Sequence, residues 1–190
     1  LFDLNILTAL AVRQALLREL LPGAEVKVKW PNDLLVGGRK ICGILIENTF
    51  SSSRLDASVV GIGVNVLQEH FGEGYPTPPT SIAAEQRRLG VTPLTGVGWH
   101  DRLVYEILEA LEGWRSRPVD RLRQAYHTCL FGRGEAACFA RPSGETFYGM
   151  IEGVRPDGRI LIRELPTGRR SLYAFREVSM VLTASLDPGL

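Results

Sequence analysis

The chain has 190 residues, of which 45% are hydrophobic and 23% are charged, a composition typical of a globular protein with a buried core. Its 22 basic residues nearly balance its 21 acidic ones, and the net charge of +1 favours neither nucleic acid nor an anionic membrane as the main partner. No apolar run reaches the length of about 18 residues that spans a membrane, and no signal-peptide pattern is present. We therefore predict a cytoplasmic protein.

The first predicted element is a helix over residues 5–21, where apolar side chains recur at helical spacing until a Pro-Gly pair ends the pattern. Arg13 falls within the apolar arc of this helix, and we expect its side chain to snorkel or to pair at an interface. The next stretch, EVKVKW, alternates in the manner of a half-buried strand and places Lys29 on the face opposite Trp30.

Three further strand patterns follow. LLVGGRK predicts a short strand that enters a hairpin turn at Gly37-Gly38. ICGILIE and ASVVGIGVNV are nearly all apolar, which predicts two strands in the centre of a sheet. Glycine weakens a strand, so Gly43, Gly61 and Gly63 indicate either a ligand close to the backbone or tight packing against a helix.

The remainder of the chain contains three regions that differ in composition. Residues 67–97 are rich in Gly, Pro and Thr and predict a loop with a short helical piece near IAAEQRRLG. WHDRLVYEILEALEGW and PVDRLRQAYHTCL then predict two helices that pack in the core. From about Gly134, short strands separated by turn residues predict a small β-barrel or sandwich.

Cysteine and histidine usage excludes several common chemistries. Cys42, Cys129 and Cys138 form no C-x-x-C pair, so buried reduced thiols are expected instead of disulfides or a thiolate zinc site. The chain also lacks an H-E-x-x-H zinc motif, a G-x-S-x-G serine elbow and a complete P-loop. No set of metal ligands is identified.

Four blocks carry a specific resemblance. KWPND, RKICGILIE, VVGIGVNV and PTSI occur in the order in which the catalytic domain of biotin protein ligases has them, and IEGVRPDGRILIRE and FREVSMVL resemble the small domain that closes those enzymes. The resemblance implies an α+β fold, with a class II aminoacyl-tRNA synthetase-like catalytic domain, a mixed sheet flanked by helices, in residues 1–132. It implies a C-terminal SH3-like β-barrel in residues 133–190.

The implied activity has two steps. Biotin and ATP, with Mg²⁺, form biotinyl-5′-AMP and pyrophosphate, and a lysine of a biotin carboxyl carrier protein or carboxylase acceptor domain then displaces AMP. A homodimer through an extended sheet is usual in the family, whereas neither nucleic acid nor membrane is expected as a partner of this chain. The sequence does not identify the acceptor carboxylase.

Two residues are the catalytic candidates. Attack of a carboxylate on a phosphate brings two anions together, so a fixed cation must lie beside both. Lys40 follows the Gly37-Gly38 turn at the start of a strand, and it matches the family lysine that touches the biotin carboxylate and the phosphate. Asp33 matches a position near the nucleotide and the incoming amine, where it would orient or deprotonate the acceptor lysine or help to position magnesium.

The remaining site residues are assigned to one substrate or the other. A buried amide such as that of Asn65 needs hydrogen-bond partners, which the adenylate would supply. An exposed strand lysine at Lys29 and a turn cap formed by Asn32 and Asp33 are the alternatives. The predicted ATP-binding residues are Lys29, Asn32, Lys40 and Asn65, and the predicted biotin-binding residues are Lys40, Gly43, Ile44 and Gly61.

The sequence also departs from the family pattern. The G-R-G-R-x-G loop and the upstream Ser, Thr and Gln residues are not found, so we expect a catalytic domain that is N-terminally incomplete. Three alternatives stay open: a biotin-responsive transcriptional repressor built on the same domain, a lipoate or octanoate ligase, and a non-catalytic binding relative. The KWPND block favours biotin over lipoate.

Overall fold

The computed structural model describes residues 1–92 and 98–182, which divide into two compact units, Leu1–Phe131 and Gly132–Leu190. The first unit contains helix α1, a π-helical turn, strands β1 to β4 and helices α2 to α4. Their bounds are Phe2–Ala15 (α1), Leu16–Leu20 (π-helical turn), Val26–Lys29 (β1), Asp33–Val36 (β2), Arg39–Ser51 (β3), Arg54–Val64 (β4), Ile82–Leu89 (α2), Trp99–Arg115 (α3) and Val119–Thr128 (α4).

Strands β1 to β4 form one sheet in the order β1-β2-β3-β4, and each neighbouring pair is antiparallel. Parallel contacts occur as single bridges, from Val28 to Leu130 and from Lys40 to Pro79. The predicted turn between β2 and β3 is confirmed, because Gly37 and Gly38 both have the positive φ angles (53° and 77°) that tight hairpin turns require.

The central position predicted for both long apolar strands is wrong for β4. Within the described residues, β4 is one of the two edge strands of the sheet and pairs with β3 alone. Apolar residues occupy both faces of the β3–β4 hairpin, yet Leu45 and Val59 on the outer face are 61% and 63% exposed. An apolar pattern on both faces therefore did not distinguish a strand buried between layers from one that keeps an open face.

The inner face of the sheet packs against α1. Buried apolar side chains of α1 meet the inner-face residues of β1 to β3, among them Val28, Leu34 and Ile44. Arg13 Nε donates a hydrogen bond of 2.7 Å to the Val26 carbonyl. This hydrogen bond joins α1 to the start of β1 within the first unit.

Helices α2, α3 and α4 complete the first unit. The predicted short helix α2 is confirmed, with Ser81 as N-cap and Gly90 in the left-handed conformation as C-cap. Core packing was predicted for one face of α3, but Val104 and Leu108 of that face are exposed and line an open apolar cavity of about 530 Å³ between α1, β4 and α3. Residues 93–97 of the predicted loop lie outside the described residues.

The second unit is an antiparallel sheet in the order β8-β7-β6-β5-β9. Its core holds Phe139, Ile151 and Ile162, and the Phe147 ring stacks between Phe139 and Tyr173 at centroid distances of 5.6 and 5.9 Å. The assignment of an SH3-like barrel remains a prediction. The strands are Ala136–Ala140 (β5), Thr146–Val154 (β6), Ile160–Glu164 (β7), Arg170–Tyr173 (β8) and Ser179–Met180 (β9).

A buried carboxylate links the strands of this second unit. Glu164 accepts hydrogen bonds from Arg169 (2.9 and 3.0 Å), Ser171 (2.9 Å) and Tyr173 (2.8 Å). Burial alone would raise the pKa of Glu164, but the hydrogen bonds and the Arg169 charge lower it to about 2.

We expect Glu164 to make the second unit sensitive to acid. A depressed carboxyl pKa stabilises the fold above the unfolded pKa of about 4.3, and this contribution is lost as pH falls through 4 toward 2. Glu164→Gln should lower the melting temperature by several degrees at pH 7 and flatten its pH dependence below pH 4, as measured by thermal unfolding. The exposed Glu145→Gln is the matched control, and an equal pH profile for the two variants would contradict the assignment.

Within the described residues, no helix combines the length and the apolar character needed to cross a membrane.

Candidate active site

Three neighbouring strands bring charged side chains together on the outer face of the first sheet. In the β1–β2 pair Lys29 lies opposite Asp33, and in the β2–β3 pair Asp33 lies opposite Gly43. Cross-strand partners point to the same face, so Lys29 and Asp33 lie side by side with Gly43 next to them. This face is opposite the one that packs against α1.

A β-bulge brings Lys40 to the same face. Leu35 pairs with Lys40 and Leu34 pairs with Cys42, so Ile41 is the extra residue of β3. Lys40 and Gly43 are three positions apart and would lie on opposite faces of a regular strand. The bulge changes this alternation and directs the Lys40 side chain toward Asp33.

Asp33 lies between two ammonium groups. Its Oδ1 atom is 2.7 Å from Lys40 Nζ, and its Oδ2 atom is 3.9 Å from Lys29 Nζ. Burial lowers the pKa of Lys29, Asp33 partly opposes this effect, and the nearby Lys40 charge adds to it. Two cations around one carboxylate leave a net positive charge, which suits an anionic ligand.

Glycine forms the surface beside this cluster. Gly43 lies directly opposite Gly63, and Leu45 lies opposite Gly61. A Cβ atom on Gly43 would lie 3.4 Å from Lys40 Nζ and 3.6 Å from Asp33 Oδ1. We call this surface, formed by Gly43, Leu45, Val59, Gly61 and Gly63, the glycine floor. The glycine floor is apolar, is open to solvent and lies next to Lys29 and Lys40.

The structure corrects the prediction for Ile44. Its side chain is 2% exposed and lies on the inner face of the sheet, opposite to the glycine floor. Its backbone groups are also occupied, because its N–H donates to the Asn32 carbonyl (2.9 Å) and its carbonyl accepts from Asn32 Nδ2 (2.6 Å). Ile44 therefore offers no side chain to a ligand at this face, and its N–H already has a partner.

The two predicted asparagines hold main chain close to the lysines. Asn32 fixes the turn after β1 to β3 through Ile44, and Asn65 Nδ2 donates to the carbonyl of Thr80 at 3.0 Å. Each of these amides thus donates to a backbone carbonyl, whereas the sequence analysis expected the adenylate to supply the partners of Asn65. The roles of Asn32 and Asn65 at the nucleotide stay a prediction.

Cys42 lies below this site. Burial, together with the Asp33 charge, raises the pKa of its thiol to about 12. Cys42 and Cys129 are buried free thiols, as expected, while Cys138 is partly exposed. Burial and the raised pKa both disfavour the thiolate form of Cys42.

Sequence reasoning missed one group of residues. Glu85 in α2 is buried and bonds Arg39, Thr80 and Arg88. In the sequence, Glu85 looks like a solvent-facing residue of a short amphipathic helix, and no local signal marks it as buried. The three-dimensional contacts alone reveal that it lies next to the backbone of Lys40.

We expect Gly43→Ala to weaken activity without unfolding the chain. The new methyl group makes only ordinary contacts with Lys40 and Asp33, but it takes up space where a ligand would approach the floor. Turnover should fall by about tenfold or more, in line with a small displacement of reacting groups. Gly113→Ala in α3, where a Cβ atom would meet nothing within 4 Å, is the control. Parental turnover in Gly43→Ala, measured as product formation, would remove Gly43 from the site.

Comparisons with known proteins agree with this fold. Residues 2–65 match the model of the biotin/lipoate A/B protein ligase family. This range includes Lys29, Asp33, Lys40 and the glycine floor. The biotin--[acetyl-CoA-carboxylase] ligase of Paracoccus denitrificans is 31% identical over 90% of this chain and 70% of that protein. The bifunctional ligase/repressor BirA of Bacillus spizizenii is 28% identical over 90% of this chain and 51% of that protein.

The fold is also that of solved biotin protein ligases. The apo structure of biotin protein ligase from Aquifex aeolicus superimposes with a TM-score of 0.68 at 22% identity, covering 95% of this chain and 75% of that chain. The α+β fold expected from the resemblance is thereby confirmed. The chain belongs to the biotin/lipoate A/B protein ligase family. It spans about half the length of the Bacillus relative.

Proposed function

We propose that the protein is an ATP-dependent biotin–protein ligase that forms biotinyl-5′-AMP and transfers biotin to a lysine of a carboxyl carrier domain. The observation that carries this proposal is the pair Lys29 and Lys40 around Asp33, beside an open apolar glycine floor. Biotin has the matching chemistry, since its thiophane ring and aliphatic chain are apolar and the chain ends in a carboxylate. The names of the Paracoccus and Bacillus relatives support the same reaction.

In the first step, a biotin carboxylate oxygen attacks the α-phosphorus of ATP. An O–P bond forms, the bond from the α-phosphorus to the bridging β-oxygen breaks, and pyrophosphate leaves with the electron pair. The Lys40 ammonium has three N–H donors, of which Asp33 takes one at 2.7 Å. The other two are free to hold the carboxylate and a phosphate oxygen together and to offset the charge of the transition state.

Lys29 supplies a second positive charge to the phosphates. Because burial lowers its pKa, Lys29 loses its proton at a lower pH than an ordinary lysine. Its contribution to phosphate binding therefore fades as the pH rises through that lowered pKa.

In the second step, the acceptor lysine amine attacks the acyl carbon of biotinyl-AMP. A C–N bond forms, the acyl C–O bond breaks, and AMP leaves with the electron pair. The amine loses a proton, which passes to Asp33 or to the departing phosphate. Asp33 lies at the outer face and retains lone pairs beyond the one that Lys40 uses, so it can also orient the amine.

Magnesium enters this proposal as the partner of ATP. Within residues 1–92 and 98–182, no three His, Cys, Asp or Glu side chains come together as a metal site. Asp33 is a single carboxylate beside two lysines, a setting that does not suit a protein-held cation. We propose that Mg²⁺ is bound by the phosphates of ATP, and we assign it no ligand in the protein.

Partners and location follow from the same proposal. The acceptor is a biotin carboxyl carrier protein or a carboxylase acceptor domain, and three free cysteines favour the reducing cytoplasm. The open edge of β4 supports a homodimer formed by sheet extension, which sedimentation would test. SH3-like architecture is proposed for the second unit.

A transcriptional repressor that senses biotin is the second candidate. It is favoured by the name of the Bacillus relative, a bifunctional ligase/repressor, of which the chain covers 51%. Biotin-dependent binding to promoter DNA from its own genome, measured by a gel shift, would support it.

The direct test is the mass of a purified carrier domain after incubation with biotin and magnesium ATP. It should be run on the 190-residue chain and on the complete product of its gene, with the Paracoccus ligase as positive control. A biotin-sized mass gain supports the proposal. No gain with either form, while the positive control works, would contradict it, and a gain with lipoate or octanoate instead of biotin would favour the lipoate-type alternative.

A further inference from the structure

A buried carboxylate lies directly behind the backbone of Lys40. The Glu85 side chain is 1% exposed, and both of its oxygens accept hydrogen bonds. Oε1 accepts from Thr80 Oγ1 at 2.6 Å and from Arg39 Nη2 at 2.8 Å. Oε2 accepts from Arg39 Nη2 at 3.1 Å and from Arg88 Nε at 2.9 Å.

Two of the residues that donate to Glu85, Arg39 and Thr80, lie close to Lys40 on different chain segments. Arg39 precedes Lys40 in β3. The segment that ends at Thr80 runs alongside, where the Lys40 N–H donates to the Pro78 carbonyl at 2.8 Å and the Thr80 N–H donates to the Lys40 carbonyl at 2.8 Å. Glu85 therefore holds both the residue before Lys40 and the segment that bonds the backbone of Lys40.

Stability alone is a weak explanation for such a group. A buried ion pair contributes little compared with an apolar replacement of similar volume, because both charges lose their hydration. Burial favours the neutral carboxyl of Glu85, but hydrogen bonds from Thr80, Arg39 and Arg88 lower its pKa below the usual range. The arrangement instead fixes geometry, because several charge-assisted hydrogen bonds hold two chain segments in place relative to each other.

We propose that Glu85 is a positioning residue for Lys40, acting through Thr80 and Arg39 to fix the backbone from which the Lys40 ammonium reaches Asp33 and the substrate anions. This inference rests on the proposed role of Lys40 in adenylate formation. Lys40 directly precedes the bulge at Ile41 near the start of β3, so the face to which its side chain points depends on the backbone geometry there. Asn65, which donates to the Thr80 carbonyl, supports the same segment.

The test uses a pair of substitutions at one position. Thr80→Val removes the hydroxyl donor to Glu85 and keeps the shape, whereas Thr80→Ser keeps the donor. Thr80→Val should lower kcat for adenylate formation by about 10- to 100-fold, as expected for a displaced catalytic group, with KM for biotin and ATP changed less than about threefold. Thr80→Ser should stay close to the parent. Arg87→Ala, which removes a neighbouring surface arginine paired with Glu69, is the control.

Glu85→Gln should show the same loss of kcat as Thr80→Val. Parental kcat in both variants, with melting temperatures showing that they are folded, would overturn the proposal. If Glu85→Gln does not fold, the Thr80 pair alone decides, and equal kcat in Thr80→Val and Thr80→Ser overturns it.

A second measurement does not depend on enzymatic activity. Hydrogen exchange at the Lys40 amide, which bonds the Pro78 carbonyl, should be at least about tenfold faster in Thr80→Val than in Thr80→Ser. Unchanged exchange overturns the proposal. If the parent makes no adenylate at all, the proposed function fails, and this exchange measurement still decides whether Glu85 holds the backbone of Lys40.

Discussion

Lys40→Ala is expected to abolish measurable formation of biotinyl-5′-AMP while leaving the fold intact. The ammonium at 2.7 Å from Asp33 is the group that would bring the biotin carboxylate and the α-phosphate together. Loss of one such preorganised donor typically costs about a hundred- to a thousandfold in rate, and Lys40 is proposed to contact both reacting anions. The measurement is biotin-dependent exchange of labelled pyrophosphate into ATP.

Lys27→Ala is the matched control for this experiment. Lys27 lies in β1, two residues before Lys29, and its ammonium pairs with Glu25 at 2.9 Å, away from Asp33. Its exchange rate should match that of the parent. Near-parental exchange in Lys40→Ala would refute the assignment of the active site, whereas loss of exchange in both variants would point to a general effect of lysine removal.

Asp33→Asn is expected to slow the complete ligation by about a hundredfold, the lower end of the range for a general acid or base. The substitution keeps the shape of the side chain and removes the negative charge between Lys29 and Lys40. Two ammonium groups would then face each other without a counter-charge. Carrier biotinylation, followed by mass, gives the overall rate.

Separate measurement of the two half-reactions identifies the role of Asp33. If Asp33 mainly holds Lys40, then adenylate formation and transfer should both slow down. If it mainly serves the acceptor amine, only transfer from preformed biotinyl-5′-AMP should slow down. Asp56→Asn, in the exposed part of β4, is the control. An unchanged rate in both half-reactions would reduce Asp33 to a residue that caps the turn.

Local patterns predicted much of the fold. The helical spacing before Pro22 gave α1, the strict alternation of EVKVKW gave β1, and Gly37-Gly38 gave the hairpin turn. Each of these signals depends on residues that are close in sequence. The biotin ligase resemblance added the relation between Lys29, Asp33 and Lys40, which the register of β1 to β3 places side by side.

Features that depend on distant contacts were not predictable. The bulge at Ile41 decides the face to which Lys40 points, yet nothing in RKICGILIE marks the extra residue. The exposed side of β4 has the same apolar composition as a core strand, because a surface for an apolar ligand uses the same side chains as a core. Asn65 was expected to need a nucleotide, and the Thr80 carbonyl, 15 positions away in sequence, accepts its hydrogen bond instead.

The position of β4 also determines how the chain behaves at high concentration. In the described part of the protein, this strand of 11 residues has one side without a hydrogen-bonded neighbour, and its charged side chains, Arg54 and Asp56, are confined to one end. An unpaired apolar edge of this length is a template for strands of other molecules. Where the proposed dimer does not cover this edge, concentrated solutions should favour fibrous association, and Val59→Lys would counter it while altering the glycine floor.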